Sequence, residues 1–314
     1  MEYNYPPYRT ELPRYPEEPQ RQPRSAGRPS RPHINVLLFL LTVVTTLFAG
    51  AMLEGVDPSR TLELWYVGIP FSVTLLSIIG LHEFGHYMMC RRHGVDATLP
   101  YFIPAPTIIG TLGAVIKIRA PITSTKALFD IGAAGPIAGF LVTLPALYYG
   151  LEMSEVREAV AEPGSFTFGD PLVMKLAIRI VLGEIPEGFT VYVSSIAFAG
   201  WVGLLVTAFN LLPIGQLDGG HIAYALLGKR QAWLGYSVFY ALFPLTFFWW
   251  GWFIWIIMGL VMRIRHPTGI TPVEPLDRTR KILGIACFII FAACFVPVPL
   301  KGMGIMEFIR TFIW

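Results

Sequence analysis

The sequence predicts an all-α membrane protein, a polytopic bundle of about seven helical spans with a short membrane-associated β segment. Three observations carry this. Of 314 residues, 54% are hydrophobic and 14% charged, and the mean hydropathy is +0.56, far from the balance of water-soluble domains. Apolar runs of spanning length recur along the chain, with Lys and Arg gathered in the segments between them. The stretch "TLGAVIKIR" (111–119) is rich in β-branched residues and lies in a segment too polar and turn-prone to span. The same figures exclude other classes. A net charge of +3, from 24 Lys and Arg spread among loops, offers no nucleic-acid surface. Cys90, Cys287 and Cys294 form no CxxC pair, so neither a disulfide framework nor an all-cysteine metal site is expected.

Three regions follow in order. Residues 1–33 are rich in proline and carry Arg9, Arg14, Arg21, Arg24, Arg28 and Arg31 without apolar periodicity, which predicts a disordered cytoplasmic tail. Residues 34–298 form the membrane domain. Its first span, "INVLLFLLTVVTTLFAGAML", starts too far from the N-terminus for a cleaved signal peptide. The second runs from about Ile69 to Cys90, and the third is "ALFDIGAAGPIAGFLVTLPALYYG" (127–150). Within the glutamate-rich segment 151–189, "PLVMKLAIRIVLGEI" reads as an amphipathic surface helix. The fourth span is Val191 to about Leu212. Trp233–Met262 is too long for one ordinary span, and Pro244 falls where two shorter helices could part. A last span covers about Ile282 to Val296, and 299–314 closes the chain as a short amphipathic segment.

Basic residues gather in the tail, at Arg91–Arg92, Lys117 to Lys126, Lys229–Arg230, Arg263 with Arg265, and Arg278–Lys281, all expected to be cytoplasmic. The acidic 151–189 segment then faces outward, which requires 233–262 to cross twice. Charge bias therefore favours a hairpin there.

Polar residues inside the second span carry the chemistry. In "HEFGH", His82 and His86 stand at i and i+4, about 40° apart around a helix axis, so both imidazoles can grip one metal. Glu83 lies beside that face, placed to deprotonate water at a zinc ion. An ionised side chain at mid-bilayer costs roughly 2.5–3.5 kcal/mol on insertion scales, so Glu83 needs a compensating partner, which argues against an accidental match. Two histidines leave zinc a ligand short. Asp218 in "NLLPIGQLDGGH" (210–221) can supply it, flanked by Gly215, Gly219 and Gly220; its bland reading is a helix N-cap. His221 is a second candidate, read as an outer residue. Cys90, a further four residues beyond His86, lies too far along the helix and reads as buried packing. Asn210 makes either an interhelical hydrogen bond or a contact orienting substrate backbone. His33, His93 and His266 receive no role.

The chain resembles the site-2 protease family of intramembrane zinc metalloproteases, peptidase family M50. The likeness rests on "HEFGH", on "GPIAG" (135–139), and on "NLLPIGQLDGG", which fits Asn-x-x-Pro-x-x-x-x-Asp-Gly, and it covers about Leu81 to His221. The resemblance implies one zinc per chain held by His82, His86 and Asp218, Glu83 as general base, and Asn210 at substrate or oxyanion. It also implies cleavage of transmembrane helices in single-pass or membrane-anchored substrate proteins, with zinc reached from the cytosolic side. Some members end the Gly-Pro motif in asparagine, whereas Gly139 here reads as close helix packing. No segment fits a PDZ or CBS domain, and the tail lacks transit-peptide character, so a compact type in a bacterial inner membrane is expected. Two other functions compete with this one. An ion transporter with a buried metal or proton site predicts polar residues along several spans and internal repeats, and neither is visible. A zinc-binding adaptor without activity would be marked by loss of the base, yet Glu83 is present.

Overall fold

The computed structural model describes residues 32–159, 167–261, 274–302 and 304. The expectations for the tail before Pro32 and for most of 299–314 fall outside the described residues. Helix α1 (Pro32–Leu53) begins two residues inside the expected tail, with proline at its first position, where the missing N–H costs no helical hydrogen bond. Thr46 Oγ on α1 lies 2.7 Å from Ser72 Oγ on α2 (Ile69–Arg92), so the two helices share a buried polar contact. Between α2 and α3 (Thr125–Glu152), β1 (Tyr101–Pro104) and β2 (Thr111–Val115) pair antiparallel, Tyr101 opposite Val115, with an irregularity between Phe102 and Pro104. Asn35 Nδ2 donates to the Leu99 and Pro100 carbonyls, both at 2.9 Å, and so ties this β segment to α1.

Among the described residues, three helical stretches are long and apolar enough to cross a membrane: Pro32–Leu53, Glu63–Arg92 and Thr125–Glu152. Shorter apolar helices accompany them. The expected surface helix is α4 (Leu172–Val181), with Leu172, Leu176 and Ile180 exposed along one side and Met174 buried. The fourth expected span is corrected at its start. Val191 and Tyr192 belong to β4 (Phe189–Tyr192), which pairs antiparallel with β3 (Glu155–Glu158), and α5 runs only from Ser195 to Asn210. "FTVY" combines aromatic and β-branched residues that fit a pleated surface, and Ser194 then caps the helix by accepting from the Ala197 N–H at 3.2 Å.

Helix α6 (Asp218–Leu227) follows, and then the long apolar stretch folds as two helices, α7 (Gln231–Leu245) and α8 (Trp252–Val261). Pro244 sits in the last turn of α7, so the chain parts one residue beyond the proline. Helix α9 (Arg278–Cys294) completes the described fold. α3 is the central element. Leu147 and Leu151 join Phe71, Leu75 and Ala197 in one apolar cluster, while Phe129 and Ala133 join Leu211, Ile222 and Cys287 in another. A third cluster, with Leu212, Phe239 and Trp252, seats the α7–α8 hairpin.

Candidate metal centre

His82 and His86 project from successive turns of α2, both buried, with Glu83 also buried between them in sequence. Asp218 opens α6. Leu217 occupies the N-cap position without a side-chain cap bond, so the cap reading of Asp218 does not hold. Its carboxylate turns to the histidines instead: Oδ2 lies 3.3 Å from His82 Nε2 and 3.2 Å from His86 Nε2. The two Nε2 atoms are 3.1 Å apart.

This triangle can be tested against a metal. Tetrahedral zinc with nitrogen and oxygen ligands at about 2.0–2.1 Å requires ligand atoms about 3.3 Å apart, and the three edges come within a few tenths of that. The donor set of two neutral imidazoles and one carboxylate suits zinc. The imidazole of His86 is also prepared for it. His86 Nδ1–H donates to the Ile131 carbonyl at 2.7 Å, which fixes the proton on Nδ1 and leaves Nε2 a lone pair facing Asp218. His82 is less constrained, because among the described residues its buried Nδ1 has no hydrogen-bond partner.

Other predicted residues take clear places. Asn210, at the C-terminal end of α5, puts Nδ2 3.5 Å from His82 Nε2, beside the triangle. The Ile116 backbone N–H, just past β2, faces the Glu83 carboxylate. Among the described residues the one metal-capable group is His82, His86 and Asp218. His221 is outside it, packed against Gly132 on α3. Cys90 is buried with Val95 and Ile131. His93, given no role from the sequence, donates from Nε2 to Asp130 Oδ2 at 2.8 Å. No local signal marked that pair, whose partners are 37 residues apart.

Residues 70–243 match peptidase family M50. The chain belongs to that family. It is 33% identical over 220 residues to the probable zinc metalloprotease EGY1, chloroplastic, of Oryza sativa subsp. japonica, covering 62% of this chain and 38% of that protein. The EGY1 protein of Arabidopsis thaliana is 31% identical over 220 residues, 63% of this chain and 40% of its own length. The probable zinc metalloprotease EGY2, chloroplastic, of Arabidopsis thaliana is 29% identical over 172 residues, 54% of this chain and 31% of its own length. The chain thus matches well under half the length of these relatives. No solved structure matches it.

Proposed function

We propose that this M50 chain is an intramembrane zinc metalloendopeptidase that hydrolyses peptide bonds within or near transmembrane helices of membrane-anchored proteins. One observation carries the reading: two imidazoles from a helix long enough to span a bilayer converge at zinc spacing with the carboxylate that opens α6, and Glu83 lies beside them on the spanning helix. His82, His86 and Asp218 hold one zinc ion per chain. When bound, zinc supplies Lewis-acid polarisation of a carbonyl and activation of water. Glu83 accepts a proton from the attacking water and delivers it to the leaving amine. Asn210 Nδ2–H donates to the substrate oxygen from beside His82.

A transmembrane helix hides its peptide bonds in internal hydrogen bonds, so a substrate must unwind before cleavage. The sheet of β1 and β2 has two strands, which leaves β2 an edge carrying the exposed Leu112 and Val115. Pairing of an extended substrate with that edge would replace the broken helical bonds and lead the chain toward Glu83 through the adjoining Ile116. The membrane domain, 34–298, crosses about seven times, α5 and α7 to α9 adding to the three long helices. It sits in a bacterial inner membrane with the tail and the access path to the site on the cytosolic side, as the placement of basic residues supports.

The test is co-reconstitution with single-pass proteins, comparing the intact enzyme with Glu83→Gln. Loss of a general base should lower the cleavage rate by about 10²–10⁴-fold or more with zinc content unchanged. Equal cleavage by both forms would refute the assignment.

A further inference from the structure

Asp130, on α3, is gripped from two other elements. Its Oδ1 accepts from Arg280 Nε–H at 2.8 Å, and its Oδ2 accepts from Arg280 Nη2–H at 2.6 Å and from His93 Nε2–H at 2.8 Å. Arg280 belongs to the first turn of α9, and its own geometry is set by Asp277, whose carboxylate accepts from the Arg280 backbone N–H at 3.0 Å and contacts Nη1. His93 is the C-cap of α2. A forked, bidentate arginine–carboxylate pair fixes orientation as well as charge, and this one is mostly shielded, Asp130 and Arg280 being 17% and 26% exposed at their side chains.

The residue after Asp130 is Ile131, whose carbonyl receives the Nδ1–H of His86. His93 and His86 are seven residues apart on one helix, hence close to the same face. α2 therefore meets α3 at two consecutive residues, once through the candidate ligand His86 and once through the clamp.

We propose that Asp130 is a positioning residue for the metal centre: the Arg280–His93 clamp on its carboxylate fixes the turn of α3 that offers the Ile131 carbonyl to His86. Through it, α9 helps to set the orientation and tautomer of a metal ligand without touching the metal. This rests on His82, His86 and Asp218 being the ligands. A carbonyl that wanders leaves the imidazole free to rotate, and loss of such an outer contact typically lowers metal affinity by about 10–100-fold.

The experiment uses the full chain in lipid nanodiscs, loaded with cobalt(II). It reads cobalt affinity by chelator competition, the visible ligand-field spectrum, and the paramagnetically shifted imidazole N–H resonance of His86. Asp130→Asn and Arg280→Gln should each weaken affinity by about tenfold, the lower end of the outer-contact range. They should also broaden or shift the His86 resonance, with Arg280→Lys falling between them and the intact chain. Lys126→Gln breaks the ion pair with Glu274 (3.1 Å) on the same side of the fold and should leave all three readings unchanged. If Asp130→Asn does not fold, Arg280→Gln and His93→Gln are read in the same way. Wild-type affinity and spectrum in the folded variants would overturn the positioning role and leave the metal centre standing. Failure of the unaltered chain to bind cobalt, or binding that survives His86→Ala, would overturn both.

Discussion

Two glycines of α3 face the two histidines and leave them unequal room. A Cβ at Gly135 would overlap the imidazole of His86, whereas one at Gly139 would lie 3.2 Å from Nδ1 and Cβ of His82, a contact that a shift of a few tenths of an ångström relieves. Forcing extra volume into a packed site costs about 1–3 kcal/mol, or roughly 5- to 150-fold in an equilibrium constant. Gly135→Ala should therefore weaken zinc binding by that factor, as read by chelator competition, while Gly139→Ala should weaken it on the order of tenfold less. Equal losses would mean that the two rings are not individually seated. The Nδ1 of His82, which has no hydrogen-bond partner among the described residues, belongs to the same asymmetry. His86 is both aimed by a carbonyl of α3 and seated tightly against bare backbone at Gly135, while His82 has the looser contact at Gly139.

At the scale of elements, the start of α9 has a pH dependence with a definite sign. The backbone N–H of Arg280, followed by its guanidinium, holds the exposed Asp277 carboxyl below its ordinary value. A group whose folded pKa is depressed stabilises fully above its unfolded pKa, about 4 for aspartate, and loses that contribution as pH falls through the lower folded value. Protection of the Arg280 and Lys281 amides, after correction for intrinsic exchange, should thus be high at neutral pH and fall below about pH 4, with Asp277→Ala weakly protected throughout and Asp277→Asn, whose side-chain oxygen still caps, losing the pH dependence. Exchange in the unaltered chain that ignores this range would discount the cap.

The same helix shows where sequence reasoning stops. His82, Glu83 and His86 were legible because a four-residue step on one helix is a local pattern, and Asp218 because a broken glycine-rich turn advertises a carboxylate. The β3–β4 pair is not visible in the sequence because its strands are four residues each, separated by thirty residues that include α4. The Asp130–Arg280 pair spans 150 residues, and nothing near either residue announces the other.

For the whole molecule, the ends of the helices sort by charge. At one end stand Arg92, His93, Asp130, Lys126 with Glu274, and Arg280, joined by the contacts among α2, α3 and α9. At the other, the Ser194 hydroxyl donates to the Gly150 carbonyl at 2.7 Å, which joins the end of α3 to the start of α5 beside the β3–β4 pair. α3 has 28 residues and rises about 42 Å, more than the roughly 30 Å hydrocarbon core, so its two ends emerge on opposite faces of a bilayer. The proposed orientation puts the basic end in the cytosol, the side that positive charge favours. Cys90, Cys287 and Cys294 are all buried, so an impermeant thiol reagent should meet little background in intact cells. A single cysteine in place of Glu158 or Glu187 should be labelled from outside, and one in place of Lys126 or Lys229 only after the membrane is opened. Labelling of all four from one side would overturn the crossing of α3, and with it the burial of the His82–His86–Asp218 centre at membrane depth.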